Sequence, residues 1–228
     1  MKTIGLIGGM SWESSAVYYE IINKEINKRL GGVHSAEIVL YSFNFGEIEK
    51  LQHENKWDEL TDKLKDVAQK LERAGADVIL ICTNTMHKLF DDVSASVSTP
   101  MIHIADATAE EIKKRGLTRV GLLGTKFTME QDFYKKRFKK YGIDTLIPDL
   151  EERERIHSVI YNELVIGVIR EESRQEFVRI IENLHRKGAQ GVVLGCTEIP
   201  LLIKQEHVKI PIFDTTKIHA LKAVEFAL

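Results

Sequence analysis

Short apolar runs recur along the chain: TIGLIGG (3–9), AEIVLYS (36–42), DVILIC (77–82), RVGLLGT (119–125), GVVLGC (191–196) and IPIFD (210–214). None alternates strictly between apolar and polar, the pattern of parallel strands covered on both faces. Helical periodicity lies between them. Trp57, Leu60, Leu64, Val67 and Leu71 repeat at three and four residues and stop at Ala74-Gly75, a helix-ending pair. Thr128-Met-Glu-Gln131 has the spacing of a capping box and predicts another helix start. Strands alternating with helices predict a doubly wound α/β fold.

The runs also pair off. IGLIGGM (4–10) is similar to VGLLGTK (120–126), GADVILICTNT (75–85) to GAQGVVLGCTE (188–198), and PMIHIADAT (100–108) to PIFDTTKIH (211–219), in the same order. One such pair could be chance; three in register predict a duplicated unit. The expected architecture is two similar doubly wound parallel-sheet, Rossmann-like domains related by a pseudo-twofold axis. The first would span 1–99 plus 209–228 and the second 100–208, with an active-site cleft between them, where strand C-termini and helix N-termini converge.

Composition narrows the function classes. Lys plus Arg (32) nearly balances Asp plus Glu (34), and no basic stripe interleaves with aromatics, which argues against nucleic acid as a partner. The opening MKTIGLIGGMSWESS breaks too early for a signal sequence, and no stretch of some 18 apolar residues follows, so no membrane segment is expected and the cytoplasm is the expected location. The two cysteines lack C-x-x-C spacing and the histidines lack metal-ligand spacing, so neither a disulfide scaffold nor a metal site is expected. Gly5-Leu-Ile-Gly8-Gly9-Met10-Ser11 is strand, glycine turn and helix start but not G-x-G-x-x-G, which leaves a dinucleotide poorly supported.

The two thiols raise the question of which residue in ICTNTMH faces a ligand. Aligning Gly75 with Gly188 without gaps places Thr83, not Cys82, opposite Cys196, and Asn84 and Thr85 opposite Thr197 and Glu198. Strand parity then turns Cys82 away from the face that Thr83 and Cys196 present, although parity loosens at a strand end and a rearranged turn could bring Cys82 in.

ICTNTMH and LGCTEIP, with GLIGGM and the repeated halves, resemble the cofactor-independent aspartate/glutamate racemase superfamily over essentially the whole chain. The resemblance is nearest to the aspartate racemase-like branch and its broad amino-acid racemase subgroup acting preferentially on L-substrates. It implies an isomerase that needs no cofactor, works as a homodimer, and moves the α-proton of a small amino acid between two faces to give a D-amino acid. Two cysteines do this in most members. Here Thr83 stands where most have Cys, so Cys196 is the expected thiolate base and Thr83 the opposite proton donor. Asn84, Thr85 and Thr197 are the expected binders of the α-carboxylate, with Met10 and Gln52 lining the pocket by resemblance. A cysteine near a helix N-terminus can fall below its usual pKa of about 8.5, which would favour such a base.

Each candidate has a plainer reading. Cys82 is read as buried packing, and Cys196 would be too without its G-C-T-E setting and the repeat. Glu198 either tunes the thiol or complements a helix dipole, and His87 either assists Thr83 or decorates a helix surface. Met10 can be ordinary packing and Gln52 a surface polar residue.

By resemblance, acid-specific relatives hold a substrate carboxylate with Arg and Lys in stretches matching 43–52 and 160–169. Lys50 is the only such cation here, and Glu47 could instead meet a cationic side chain, which leaves neutral and basic amino acids open. Two rival functions remain: a single-thiol decarboxylase of the same superfamily, and a non-catalytic amino-acid-binding protein.

Overall fold

The computed structural model describes residues 1–228. They form two compact units, Met1–Ile104 with His219–Leu228, and Ala105–Ile218. In the first, β1 (Ile4–Gly8) lies between β2 (Ile38–Ser42) and β3 (Val78–Ile81), all parallel. In the second, β4 (Arg119–Gly124) and β6 (Val192–Gly195) are flanked by β5 (Asp144–Leu146) and β7 (Ile212–Asp214), in the order β5-β4-β6-β7. No helix is long and apolar enough to cross a membrane.

The repeat seen in the sequence reappears as strand register. Gly5 pairs with Ile79, which bridges to Met101; Gly121 pairs with Val192, which pairs with Ile212. The amides of Ile79 and Val192 each donate to a proline carbonyl, Pro100 and Pro211, at 2.9 Å. The fourth strand is thus complete in the second unit and reduced to a single bridge in the first.

Two corrections follow from this pairing. The tail was expected to rejoin the first unit at about residue 209. Instead β7 bonds to β6, Leu194 opposite Asp214, which keeps the chain in the second unit to Ile218. The Met101 bridge likewise holds 100–104 in the first unit, beyond the expected boundary at 99.

Side chains sort by parity across each sheet. In β3, Ile79 and Ile81 pack with Leu60, Leu64, Val67 and Leu71 of the helix Trp57–Arg73, while Val78, Leu80 and Cys82 pack with Tyr18, Ile22, Ala220 and Val224. That helix ends where the sequence predicts: Ala74 is its C-cap and Gly75 has φ +88°, a conformation that side chains with a Cβ resist. The predicted cap at Thr128 sits one turn too late. Because β4 ends at Gly124, Thr125 is the first extended residue with a hydroxyl, and it caps Lys126–Glu130 by accepting from the Thr128 amide at 3.4 Å. A true capping box joins Asp149 and Glu152 instead.

Candidate active site

In the first unit the β1 turn is built by small residues. The Gly9 amide donates to Ser15 Oγ at 2.8 Å, and that hydroxyl donates to the Ser11 carbonyl at 2.9 Å. Ser11 caps the helix Trp12–Leu30, accepting from the Ser14 amide at 3.3 Å. Gly9 has φ +78°, and a Cβ there would lie 2.3 Å from the Phe43 nitrogen, so only glycine fits. Met10 is buried in the core with Ile7, Ile48 and Met86. Gln52 is buried as well, not a surface residue, and its Nε2 reaches Met86 Sδ at 3.1 Å.

Beyond β3 the parity continues into the turn. Cys82 is fully buried on the face of Val78 and Leu80, and burial pushes its thiol well above the usual range. Thr83, of the opposite parity, is only partly buried. Asn84 and Thr85 are buried at the start of a 3-10 helix, Thr85–Leu89. His87 is no surface histidine: its Nδ1 is 2.7 Å from the Thr83 carbonyl and its Nε2 accepts from the Ile104 amide at 3.2 Å.

The second unit places Cys196 in the same parity relation. It continues Val192 and Leu194 into a core with Ile156, Phe177, Ile180 and Ile199. Its Sγ donates to Glu198 Oε2 at 3.0 Å, and Thr197 Oγ1 donates to the same oxygen at 2.7 Å. Glu198 is buried and is the N-cap of Ile199–Leu202, with Pro200 in the first turn. Burial and the adjacent Glu198 charge raise the Cys196 thiol well above its usual range, against the acidifying pull of the Glu198 and Ile199 amides. The thiolate expected from proximity to a helix N-terminus is therefore not the resting form. The raised thiol keeps its proton, on the hydrogen bond to the Glu198 carboxylate.

The stretches that bear on side-chain recognition carry no buried cation. Lys50 is exposed with Glu54 at 3.9 Å, and Glu47 is exposed with Lys63 at 4.0 Å, so neither is built to hold a ligand. In the second stretch Glu163 is buried and accepts from Ser173 Oγ at 2.7 Å, a pairing that sequence spacing did not reveal. No three His, Cys, Asp or Glu side chains are arranged to hold a metal ion.

Comparison with known proteins agrees with the two-unit parallel-sheet architecture. A provisionally named Asp/Glu racemase from Yersinia pestis is 50% identical, with 100% of this chain and 99% of that one covered and a TM-score of 0.94. An aspartate racemase homologue from Pyrococcus horikoshii OT3 is 42% identical over 100% and 99% of the two chains, with a TM-score of 0.86. The broad specificity amino-acid racemase RacX of Bacillus subtilis (strain 168) is 24% identical, covering 93% of this chain and 92% of its own. Residues 7–223 match the Asp/Glu/Hydantoin racemase family, and the chain belongs to it.

Proposed function

We propose that this chain racemises a small L-amino acid without a cofactor, using Cys196 as base and Thr83 as proton donor on opposite faces of the α-carbon. One observation carries the assignment. Register places Thr83 and Cys196 at equivalent positions, four residues beyond Ile79 and Val192 on equivalent strands. Membership in a racemase family and likeness to a broad specificity amino-acid racemase support the reaction class.

The resting hydrogen bond sets the order of proton movements. Sγ–H passes its proton to Glu198 Oε2, and the thiolate takes the substrate α-proton. Thr83 O–H protonates the carbanion from the other side and regains a proton from water, while Glu198 returns its own to solvent. Asn84, Thr85 and Thr197 bind the α-carboxylate, and Met10 and Gln52 line the pocket. The substrate is aspartate, glutamate or a broader set. The family resemblance also supports a cytoplasmic homodimer that makes D-amino acids. Enantiomers have equal free energy, so kcat/KM must match in the two directions and any L-preference lies in kcat and KM separately.

Incubation with single L-amino acids in D2O, followed by chiral separation and mass spectrometry, tests the reading. A racemase gives α-deuterated D-enantiomer. Thr83→Ala should leave deuteration with retention while inversion falls, and Cys196→Ala should lose both. Carbon dioxide release from a malonate would favour the decarboxylase, and thermal stabilisation without exchange would favour a binding protein.

A further inference from the structure

We propose that His87 is a positioning residue for Thr83, fixing the peptide plane from which the Thr83 hydroxyl is presented. The idea rests on the racemase reading above and extends it to a group that touches no substrate.

The bonding pattern allows one protonation state. A backbone amide only donates, so the 3.2 Å approach of Ile104 N requires a lone pair on His87 Nε2. In a neutral imidazole the hydrogen is then on Nδ1, where it donates to the Thr83 carbonyl at 2.7 Å. One ring thus ties two backbone points 21 residues apart, in a single tautomer.

The ring cannot easily turn out of this arrangement. Phe90 stacks on it with planes 9° apart, and His103 and His219 approach its edge or face at 4.6 and 5.6 Å between centroids. His219 is itself fixed. Its Nε2 donates to the Ile102 carbonyl at 2.8 Å and its Nδ1 accepts from the Tyr18 hydroxyl at 2.9 Å. Two buried histidines therefore grip the segment 102–104, and one of them passes that rigidity to Thr83.

The position of Thr83 explains the need. β3 ends at Ile81, so Thr83 lies past the last residue held by the strand ladder. A short side chain follows its backbone closely, and a displacement of about 1 Å in a reacting group can cost on the order of a hundredfold in rate. His87 is unsuited to acid–base work itself, since both ring nitrogens are engaged by backbone groups.

Two substitutions separate the ring's two bonds. His87→Asn keeps a donor near the Nδ1 position and loses the acceptor for Ile104; His87→Gln keeps an acceptor near Nε2 and loses the donor to Thr83. Both should melt below the wild type. In D2O with an L-substrate, only H87Q should lower the ratio of inversion to deuteration with retention, by about tenfold or more and with little change in KM. An unchanged ratio in folded H87Q, or equal falls in both variants, would overturn the proposal.

Nitrogen-15 spectra of the His87 ring give a readout independent of turnover. The proton should reside on Nδ1, and finding it on Nε2 would overturn the proposal even if racemisation is confirmed. Absence of all deuteration in the wild type would overturn the racemase reading and with it any role in proton delivery, whereas an Nδ1 proton would still uphold the bond to Thr83.

Discussion

Cys196 Sγ and Glu198 Oε2 lie 3.0 Å apart, both buried, and share one proton between them. Removing the carboxylate while keeping its shape should have two opposite effects. In Glu198→Gln the thiol loses the neighbouring charge that raises it, so the pH midpoint of Cys196 alkylation should move down. Turnover should nevertheless fall, by roughly a hundredfold, because the amide cannot accept the thiol proton. Alkylation rates across a pH series and kcat for the same preparation check both signs; a fall in the midpoint with full activity would show that Glu198 takes no proton.

The two thiols should be chemically distinguishable. Cys82 is fully buried and Cys196 is 6% exposed, so a thiol reagent should label at most one cysteine in the native protein and two after denaturation. Cys82→Ala removes only a sulfur from the core and should cost about 1 kcal/mol of stability, with racemisation retained. Cys196→Ala should lose α-proton exchange by at least about a hundredfold. Mass mapping of the labelled peptide and deuterium exchange decide between them; lethality of the first substitution would move the active thiol to position 82.

Burial lowers His219 to about 4, whereas in the unfolded chain it titrates near 6.5. Below 6.5 the unfolded chain binds a proton that the folded one refuses, so stability is full above that pH and is lost as pH falls toward 4. The loss amounts to roughly 3 kcal/mol for this group. Urea unfolding of the wild type and His219→Gln should therefore show a stability difference that narrows by about that amount between neutral pH and about pH 4. A constant difference would mean that the ring takes up its proton at the same pH in the folded and unfolded chains.

Gly9→Ala should be among the most damaging small changes in the first unit. At φ +78° the new Cβ would stand 2.3 Å from the nitrogen and 2.4 Å from the oxygen of Phe43, both backbone atoms that cannot swing aside. Strain of about 1–3 kcal/mol from the backbone conformation alone is expected, with more from the displaced contact. Thermal melting measures it. An unchanged melting temperature would mean that the turn relaxes without cost.

Much of this organisation was legible because a duplication writes the same instructions twice. Gly5, Ile79 and Met101 answer to Gly121, Val192 and Ile212 in sequence and again in hydrogen-bonded register. What stayed hidden depends on long-range pairing. β5, only Asp-Thr-Leu, has no apolar run of its own and is a strand because β4 offers Arg119 to Gly121 as partners. β7 remained in the second unit for the same reason. The resting state of Cys196 was hidden too: a nearby helix N-terminus is readable from spacing, but burial and the aim of the Glu198 carboxylate are not. His87 showed its four-residue distance from Thr83, while its bond to Ile104 belongs to a chain segment no local pattern connects to it.

The proton shared by Cys196 and Glu198 also bears on how such a protein ages. Peroxides attack the anionic form of sulfur, and a thiol held neutral beside a carboxylate is slow to begin the path to sulfenic and sulfinic acids. The other sulfur is sealed from reagents altogether. Endurance under oxidative stress would then come from the same hydrogen bond through which the proposed base gives up its proton.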